Sequence, residues 1–391
     1  VPYVQPTQLI RQLHLAPNQL VMAVTGGGSE AISSLLQVPG ASQTLLEAIV
    51  PYSGVALADL LKRPPEQYCS EATARAMAVS AFLRARKLWH KSVAAGDASG
   101  EQPPLMGIGC TASMKSHLAK KGPHRVHLAI QTPEATTVAN LVLTKEARTR
   151  DEEEKLTAEL ILDRVATAAG LTETIRIGLM PGEQVDETVY RAQPSWRELL
   201  QGDIRACIGS GEPASPADHS GAIMSGAFNP LHEGHLEMAA VGEQILGRRV
   251  DYEISIENVE KAPLDFGEMA ERVEQYEPPQ RCWLTRAPTF VEKARIFPEA
   301  TFVVGADTIV RIADTRYYHD SEKKRDAAIR EFSEQNCRFL VFPRQVKGEF
   351  LTLDEIELPT PLRRLCDGVS PDLFRADISS TEIRRRLSEF G

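Results

Sequence analysis

Several things are scarce in this 391-residue sequence, and each scarcity removes a class of protein. The six cysteines, Cys69, Cys110, Cys207, Cys282, Cys337 and Cys366, stand far apart, with no CxxC pair among them. Neither a metal cluster nor a disulfide framework is therefore expected, and a reducing compartment is. No apolar run approaches the roughly 20 residues that cross a bilayer, so no membrane partner is expected. Positive charge is in deficit, with 44 Lys and Arg against 53 Asp and Glu and a formal net charge of −9. That balance argues against broad nucleic-acid binding. It leaves phosphorylated small molecules open, because a few local cations and backbone amides can hold those. Internal repeats and long low-complexity tracts are missing too. The sequence opens on Val1 rather than Met. A cytoplasmic protein is the default expectation, with a removed organelle-targeting leader left open.

What is present reads as globular α/β protein. The apolar and charged fractions, 42% and 25%, are ordinary, and the length suffices for two or three cores. Strand-like runs such as Leu20–Val24 and Val126–Ile130 alternate with helical stretches. Glu71–Arg86 reads as a helix after a Ser70 cap, and Asp151–Ala169 as a helix with an acidic start. The alternation resumes at Ala222–Ser225, Leu236–Leu246, Tyr252–Ile256, Thr301–Val304, Phe339–Phe342 and Thr381–Leu387. This pattern predicts parallel α/β architecture in both halves. The Gly/Pro/Ser-rich stretch around 209–218 suggests a first domain over 1–207, a linker over 208–220 and a second domain over 221–391.

The second domain carries the most specific chemistry. An apolar strand runs into Gly226-Ala-Phe-Asn-Pro-Leu-His-Glu-Gly-His235, and an amphipathic helix starts near Gly234. A strand, tight turn and helix place free amides where phosphate oxygens can dock. His232 and His235, three apart, can point the same way; the plain alternative is two polar residues at a helix start. Imidazole can donate to phosphate while neutral, or carry charge as a leaving group develops. Gly305-Ala-Asp307 ends an apolar strand, which fits a ligand-facing crevice, with a simple helix cap by Asp307 as the alternative. Ser379, Ser380 and Thr381 precede a basic helix, and Arg384 lies one turn in, where it could reach a phosphate. A capping box, Ser379 to Glu382, accounts for the same residues and is compatible with an anion site.

These three segments together resemble the HxGH nucleotidyltransferases, most closely the nicotinate/nicotinamide mononucleotide adenylyltransferases, over about residues 220–390. The resemblance implies a Rossmann-like domain with a parallel sheet that moves AMP from ATP to a phosphate-bearing acceptor. It implies His232 and His235 as catalytic residues and Gly226, Phe228, Asn229, Gly234, Ser379, Ser380, Thr381 and Arg384 as ATP-binding. Gly305, Asp307 and Lys261 are the implied substrate contacts, an exposed loop lysine being the alternative for Lys261. Mg²⁺ is expected with ATP, held mainly by the phosphates, and no protein metal site is expected. The Trp usual after the Gly305–Asp307 motif in nicotinate-mononucleotide enzymes is absent. Another acceptor, such as phosphopantetheine, cytidylyl transfer and a non-catalytic nucleotide sensor therefore stand as alternatives.

The first half is similar to the CinA C-terminal domain, the nicotinamide-nucleotide amidases, over about residues 5–170. The shared segments are Ala23–Ser29, Val38–Ser42, Val50–Ser53, Ser70–Ala78 and Gly107–Ser113. Thr25, Gly26, Gly27, Gly28 and Ser29 form a turn between a strand and a helix and are the phosphate-binding candidates here. Ala23 stands where the family has its nucleophilic serine, and Leu57 and Ala58 stand where its lysine is expected. A hydroxyl nucleophile needs a partner base, so these departures argue against deamidation. Ser29, Ser53, Thr111 and Cys110 remain as substitutes. The resemblance also allows a homo-oligomer.

Overall fold

The computed structural model of the chain describes residues 2–117, 121–212, 214–346 and 349–374. It shows two compact units, each built on its own sheet. The first is the chain up to Ala192 together with Glu260–Gly267; the second is Gln193–Val259 and the chain from Glu268 onward. Among the described residues no helix is long and apolar enough to cross a membrane.

The first unit runs α1 (Pro6–Leu15), β1 (Gln19–Thr25), α2 (Ser29–Gln37), α3 (Ala41–Thr44), β2 (Leu45–Ile49), α4 (Gly54–Leu61), α5 (Glu71–Ala95), β3 (Leu105–Ser113), β4 (His124–Gln131), β5 (Ala135–Leu143), α6 (Arg150–Ala168) and β6 (Val185–Arg191). Local chemistry sets the helix starts. Ser70 Oγ accepts the Thr73 N–H at 3.2 Å to begin α5, and Thr149 and Glu152 cap each other reciprocally to begin α6. The Ala-rich face of α5 lies directly on β3: a Cβ at Gly107 would come within 2.1 Å of the Ala78 carbonyl oxygen. A core of Leu9, Leu13, Leu35, Leu160 and Val165 packs against Met22, Ile108 and Leu128 of the strands.

The sheet order is β2-β1-β3-β4-β5-β6, and only β2, β1 and β3 are parallel. From β3 onward each pairing is antiparallel. This corrects the expectation of parallel architecture in both halves. Parallel neighbours need a helical crossover, which α2, α3 and α5 supply; β4 and β5 are joined by a three-residue turn, 132–134, that permits only a hairpin.

The second unit runs α7 (Pro194–Gln201), β7 (Ala206–Ile208), β8 (Ala222–Ser225), α8 (Glu233–Leu246), β9 (Asp251–Ser255), α9 (Phe266–Val273), β10 (Cys282–Thr285), α10 (Phe290–Ile296), β11 (Thr301–Gly305), α11 (Ala306–Ala313), α12 (Glu322–Glu334), β12 (Arg338–Phe342), β13 (Arg344–Val346), β14 (Glu349–Leu351), α13 (Thr360–Arg363) and β15 (Cys366–Gly368). Phe266 and Gly267 of α9 count with the first unit. The main sheet has the order β15-β12-β11-β8-β9-β10-β7, parallel throughout except for β7 at its edge. Its core is aromatic, with Phe297, Phe302, Phe332, Phe339 and Trp283 fully buried. Charged groups are buried as well, among them Glu253 and Lys293. Glu253 on β9 holds Lys293 Nζ at 2.5 Å and accepts the Thr285 hydroxyl at 2.5 Å.

The units do not divide where composition places the boundary. Residues 193–207 belong to the second unit, where Trp196 Nε1 donates to the Gly209 carbonyl at 3.0 Å and β7 pairs with β10. Residues 260–267 return to the first unit: Asp265 accepts from Arg75 Nε at 3.1 Å, and the Phe266 N–H donates to Thr136 Oγ1 at 3.1 Å.

Strand order also locates a crevice. From β8 the chain proceeds through α8 to β9 on one side, whereas from β11 it proceeds to β12 on the other. The carboxyl ends of β8 and β11 therefore flank a topological switch point, where open parallel sheets bind their ligands. The His232/His235 turn follows β8, and Gly305–Asp307 follows β11.

Candidate active site

The turn after β8 is built tightly. The Gly226 N–H donates to the Glu253 carbonyl at 3.0 Å, and an added Cβ at Gly226 would lie 2.7 Å from the Phe228 ring. Phe228 is buried with φ of 42°, a left-handed conformation that a bulky side chain adopts only under constraint. That constraint comes from the other side of the turn. Arg272 donates to the Ala227 carbonyl at 3.1 Å; Gln275 donates to the Phe228 carbonyl at 3.0 Å and accepts the Leu231 N–H at 2.7 Å. Asn229 and Pro230 complete the turn, and α8 begins with His232 as its N-cap residue.

The two histidines do face the same way. Their rings stack with centroids 3.7 Å apart, and the Phe228 ring meets His235 edge-on at 5.0 Å. His235 Nδ1 accepts the His232 backbone N–H at 3.4 Å, so its proton sits on Nε2. Both ring nitrogens of His232 and the Ser225 hydroxyl oxygen are buried without a hydrogen-bond partner among the described residues. Unsatisfied buried polar atoms cost about 1–3 kcal/mol each, and here they cluster at one strand end. Burial, the neighbouring His232 and the positive charge of Arg344 push His235 down to about 3; burial and Arg344 lower His232 as well. At neutral pH both rings are uncharged hydrogen-bonding groups.

Across the crevice, Gly305 is the N-cap residue of α11. Asp307 Oδ1 folds back over Gly305, 2.7 Å from where a Cβ would stand, and its carboxylate lies 3.9 Å from Arg311 one turn along. Arg344, just past β12, approaches the same place, its Cδ 3.9 Å from that Cβ position. Arg344, Ser225, Arg272 and Gln275 were not singled out from sequence. Ser225 sits in the strand run without a chemical signal of its own, the other three lie outside the motif strings, and the parallel order of β8, β11 and β12 brings Arg344 near the histidines.

Other predicted residues fall elsewhere. Ser379, Ser380, Thr381 and Arg384 lie outside the described residues. Lys261 counts with the first unit, where its neighbour Ala262 packs against Ala23, Leu57, Leu61 and Met77. Among the described residues no three His, Cys, Asp or Glu are grouped to hold a metal ion. Two neutral imidazoles suit a hard Mg²⁺ poorly.

In the first unit, the glycine turn Thr25–Ser29 does open α2, yet an anion already occupies it. Glu154 of α6 accepts the Gly28 N–H at 3.0 Å, the Ser29 hydroxyl at 2.8 Å and the Glu30 N–H at 3.1 Å. These bonds hold its carboxyl below the usual range against the cost of burial. The expectation of an open phosphate site at this turn therefore does not match the structure. Ser53 caps α4 by accepting the Ala56 N–H at 3.1 Å, and Thr111 donates to the Tyr68 carbonyl at 2.8 Å. Cys110 is fully buried, with its thiol pushed far up by desolvation, which makes it an inert side chain rather than a nucleophile.

Comparison with known proteins agrees with this geometry for the second unit. Residues 223–386 match the cytidylyltransferase-like family. No curated protein matches the chain. Among solved structures, the chain is similar to the competence/damage inducible protein CihA from Agrobacterium tumefaciens, with 18% identity and a TM-score of 0.33. That match covers 44% of this chain and 99% of the other. A competence-damaged protein (CinA) superfamily member from Escherichia coli matches with 17% identity and a TM-score of 0.27, over 42% of this chain and 85% of the other. The C-terminal part of the chain is a cytidylyltransferase-like domain of the HxGH nucleotidyltransferases.

Proposed function

We propose that the second unit transfers AMP from ATP to a phosphate-bearing acceptor, nicotinate or nicotinamide mononucleotide, and releases pyrophosphate. The observation that carries this reading is the stacked, uncharged His232/His235 pair at the switch-point crevice, with both ring nitrogens of His232 buried and unpartnered among the described residues. An acceptor phosphate oxygen attacks the α-phosphorus in line. The new P–O bond forms as the bond to the bridging oxygen breaks, and pyrophosphate departs with that electron pair. His235, with its proton on Nε2, donates to the phosphate oxygens as charge builds there, and His232 lies beside it for the same purpose. Both need only be neutral donors, which their lowered pKa values favour. Arg344 supplies a fixed positive charge that acts on both rings, and Mg²⁺ enters as part of the Mg–ATP substrate.

The nucleotide and acceptor are tested together. The purified chain is incubated with Mg²⁺ and ATP or CTP, and with nicotinate mononucleotide, nicotinamide mononucleotide or phosphopantetheine. Pyrophosphate release is measured and the product identified by mass. Dinucleotide formation from ATP and a pyridine mononucleotide is expected. Product from CTP or phosphopantetheine alone would overturn the substrate assignment, and no product from any pair would overturn the transferase reading.

A further inference from the structure

We propose that the first unit binds an uncharged, nucleoside-class ligand in a cavity beside its glycine turn, and that Glu154 makes this site refuse the corresponding phosphate. The cavity encloses about 340 Å³ and is bounded by Thr25, Tyr52, Ser53, Tyr68, Cys69 and Thr111 among others. Its volume falls in the range of small-molecule sites. None of its lining residues is an acid, a lysine, an arginine or a histidine, so the lining itself offers an ionic ligand no counter-charge.

The polar groups present suit a heterocycle and a sugar. Thr25 Oγ1 donates to the Pro51 carbonyl at 3.1 Å and Thr111 Oγ1 to the Tyr68 carbonyl at 2.8 Å, so each hydroxyl offers the cavity acceptor lone pairs. Ser53 Oγ accepts the Ala56 N–H, and its proton has no acceptor among the described residues. Tyr52 and Tyr68 are exposed, and Tyr68 lies over Gly54, its hydroxyl 3.0 Å from where a Cβ would stand. Aromatic faces with donors and acceptors but no formal charge select a neutral ring.

The adjoining anion position is closed. The amides opening α2 are spent on Glu154, and Arg150, the nearby cation, faces that carboxylate while donating to the Gly26 carbonyl at 2.9 Å. A phosphate would meet Glu154 as a like charge, with its best donors taken.

Cys69 makes the site readable, because it lines the cavity and is the one cysteine of six that is not buried. Iodoacetamide labelling of Cys69 in the full chain, with the site of modification read by mass spectrometry, reports the cavity without interference from nucleotides bound elsewhere. Adenosine and uridine are compared with AMP and UMP. At ten times the dissociation constant, mass action slows labelling about tenfold for a bound nucleoside, and the monophosphates leave it unchanged. Glu154→Gln keeps the shape, removes the charge and confers protection by AMP. Glu154→Ala, which also removes the charge and frees the Gly28 and Glu30 amides, serves if that variant does not fold. Equal protection of the wild-type chain by AMP and adenosine would overturn the proposal. So would a Cys69 labelling rate indifferent to both nucleosides.

Discussion

Replacing Gly226 with alanine puts the architecture of the histidine turn to a quantitative test. The added Cβ would stand 2.7, 2.9 and 3.0 Å from three carbons of the Phe228 ring. That ring is only 2% exposed and is surrounded by His235, Tyr252 and Tyr276 at centroid distances of 5.0, 5.4 and 6.1 Å. It cannot retreat without moving one of them. Overpacking of this kind costs about 1–3 kcal/mol, and in a unit of this size each kcal/mol lowers the melting temperature by about 2–4 °C. Displacing Phe228 also displaces the edge that supports His235, and a misplacement on the order of 1 Å costs about 100-fold in rate. Calorimetry and nucleotidyl transfer should therefore both register Gly226→Ala. The clash is specific to one ring, so Phe228→Leu in the same chain should recover part of the stability, giving a non-additive double-mutant cycle. Unchanged unfolding and turnover in Gly226→Ala, or strictly additive losses in the double variant, would refute the packing argument.

Two further outcomes concern charge. His235 is held neutral when folded, down to about 3, whereas the unfolded chain binds its proton near the ordinary value of 6.5. Protons therefore favour unfolding, and stability falls as pH drops through that window, by at most about 1.4 kcal/mol per pH unit before solvent screening. Urea midpoints between pH 7 and pH 5 should decline less steeply in His235→Asn; identical slopes would contradict the assignment. Arg344→Gln should raise the KM for the nucleoside triphosphate about 10- to 100-fold, the worth of one charge-assisted contact. It should also lift the pKa of His235, visible in the pH dependence of its ring resonances. An unchanged KM and unchanged titration would remove Arg344 from the site.

Local signals made much of this legible. The apolar run Leu20–Val24 sits inside β1, the Ser70 cap starts α5, and the string from Ala222 to His235 is the strand, turn and helix its residues suggest. What sequence could not show depends on partners far along the chain. Glu154 lies about 125 residues from the glycine turn it fills, and nothing in the turn announces a carboxylate guest. Arg272 in the last turn of α9 and Gln275 just past it fasten the histidine turn from outside any motif. Lys293 reads as an ordinary helix lysine until β9 places Glu253 beneath it. The return of residues 260–267 to the first unit is invisible for the same reason. Leu264 and Phe266 look like any apolar pair, yet both are buried on either side of Asp265, which accepts from Arg75 far along the chain.

The central claim is that an uncharged His235 stabilises phosphate during nucleotidyl transfer. It is tested most directly by the turnover number for pyrophosphate release, measured at saturating Mg–ATP and acceptor for the wild-type chain and for His235→Ala. With the variant shown to be folded, a fall of about 100- to 1000-fold is expected, the usual loss of one preorganised donor. Turnover by His235→Ala close to that of the wild-type chain would contradict the account.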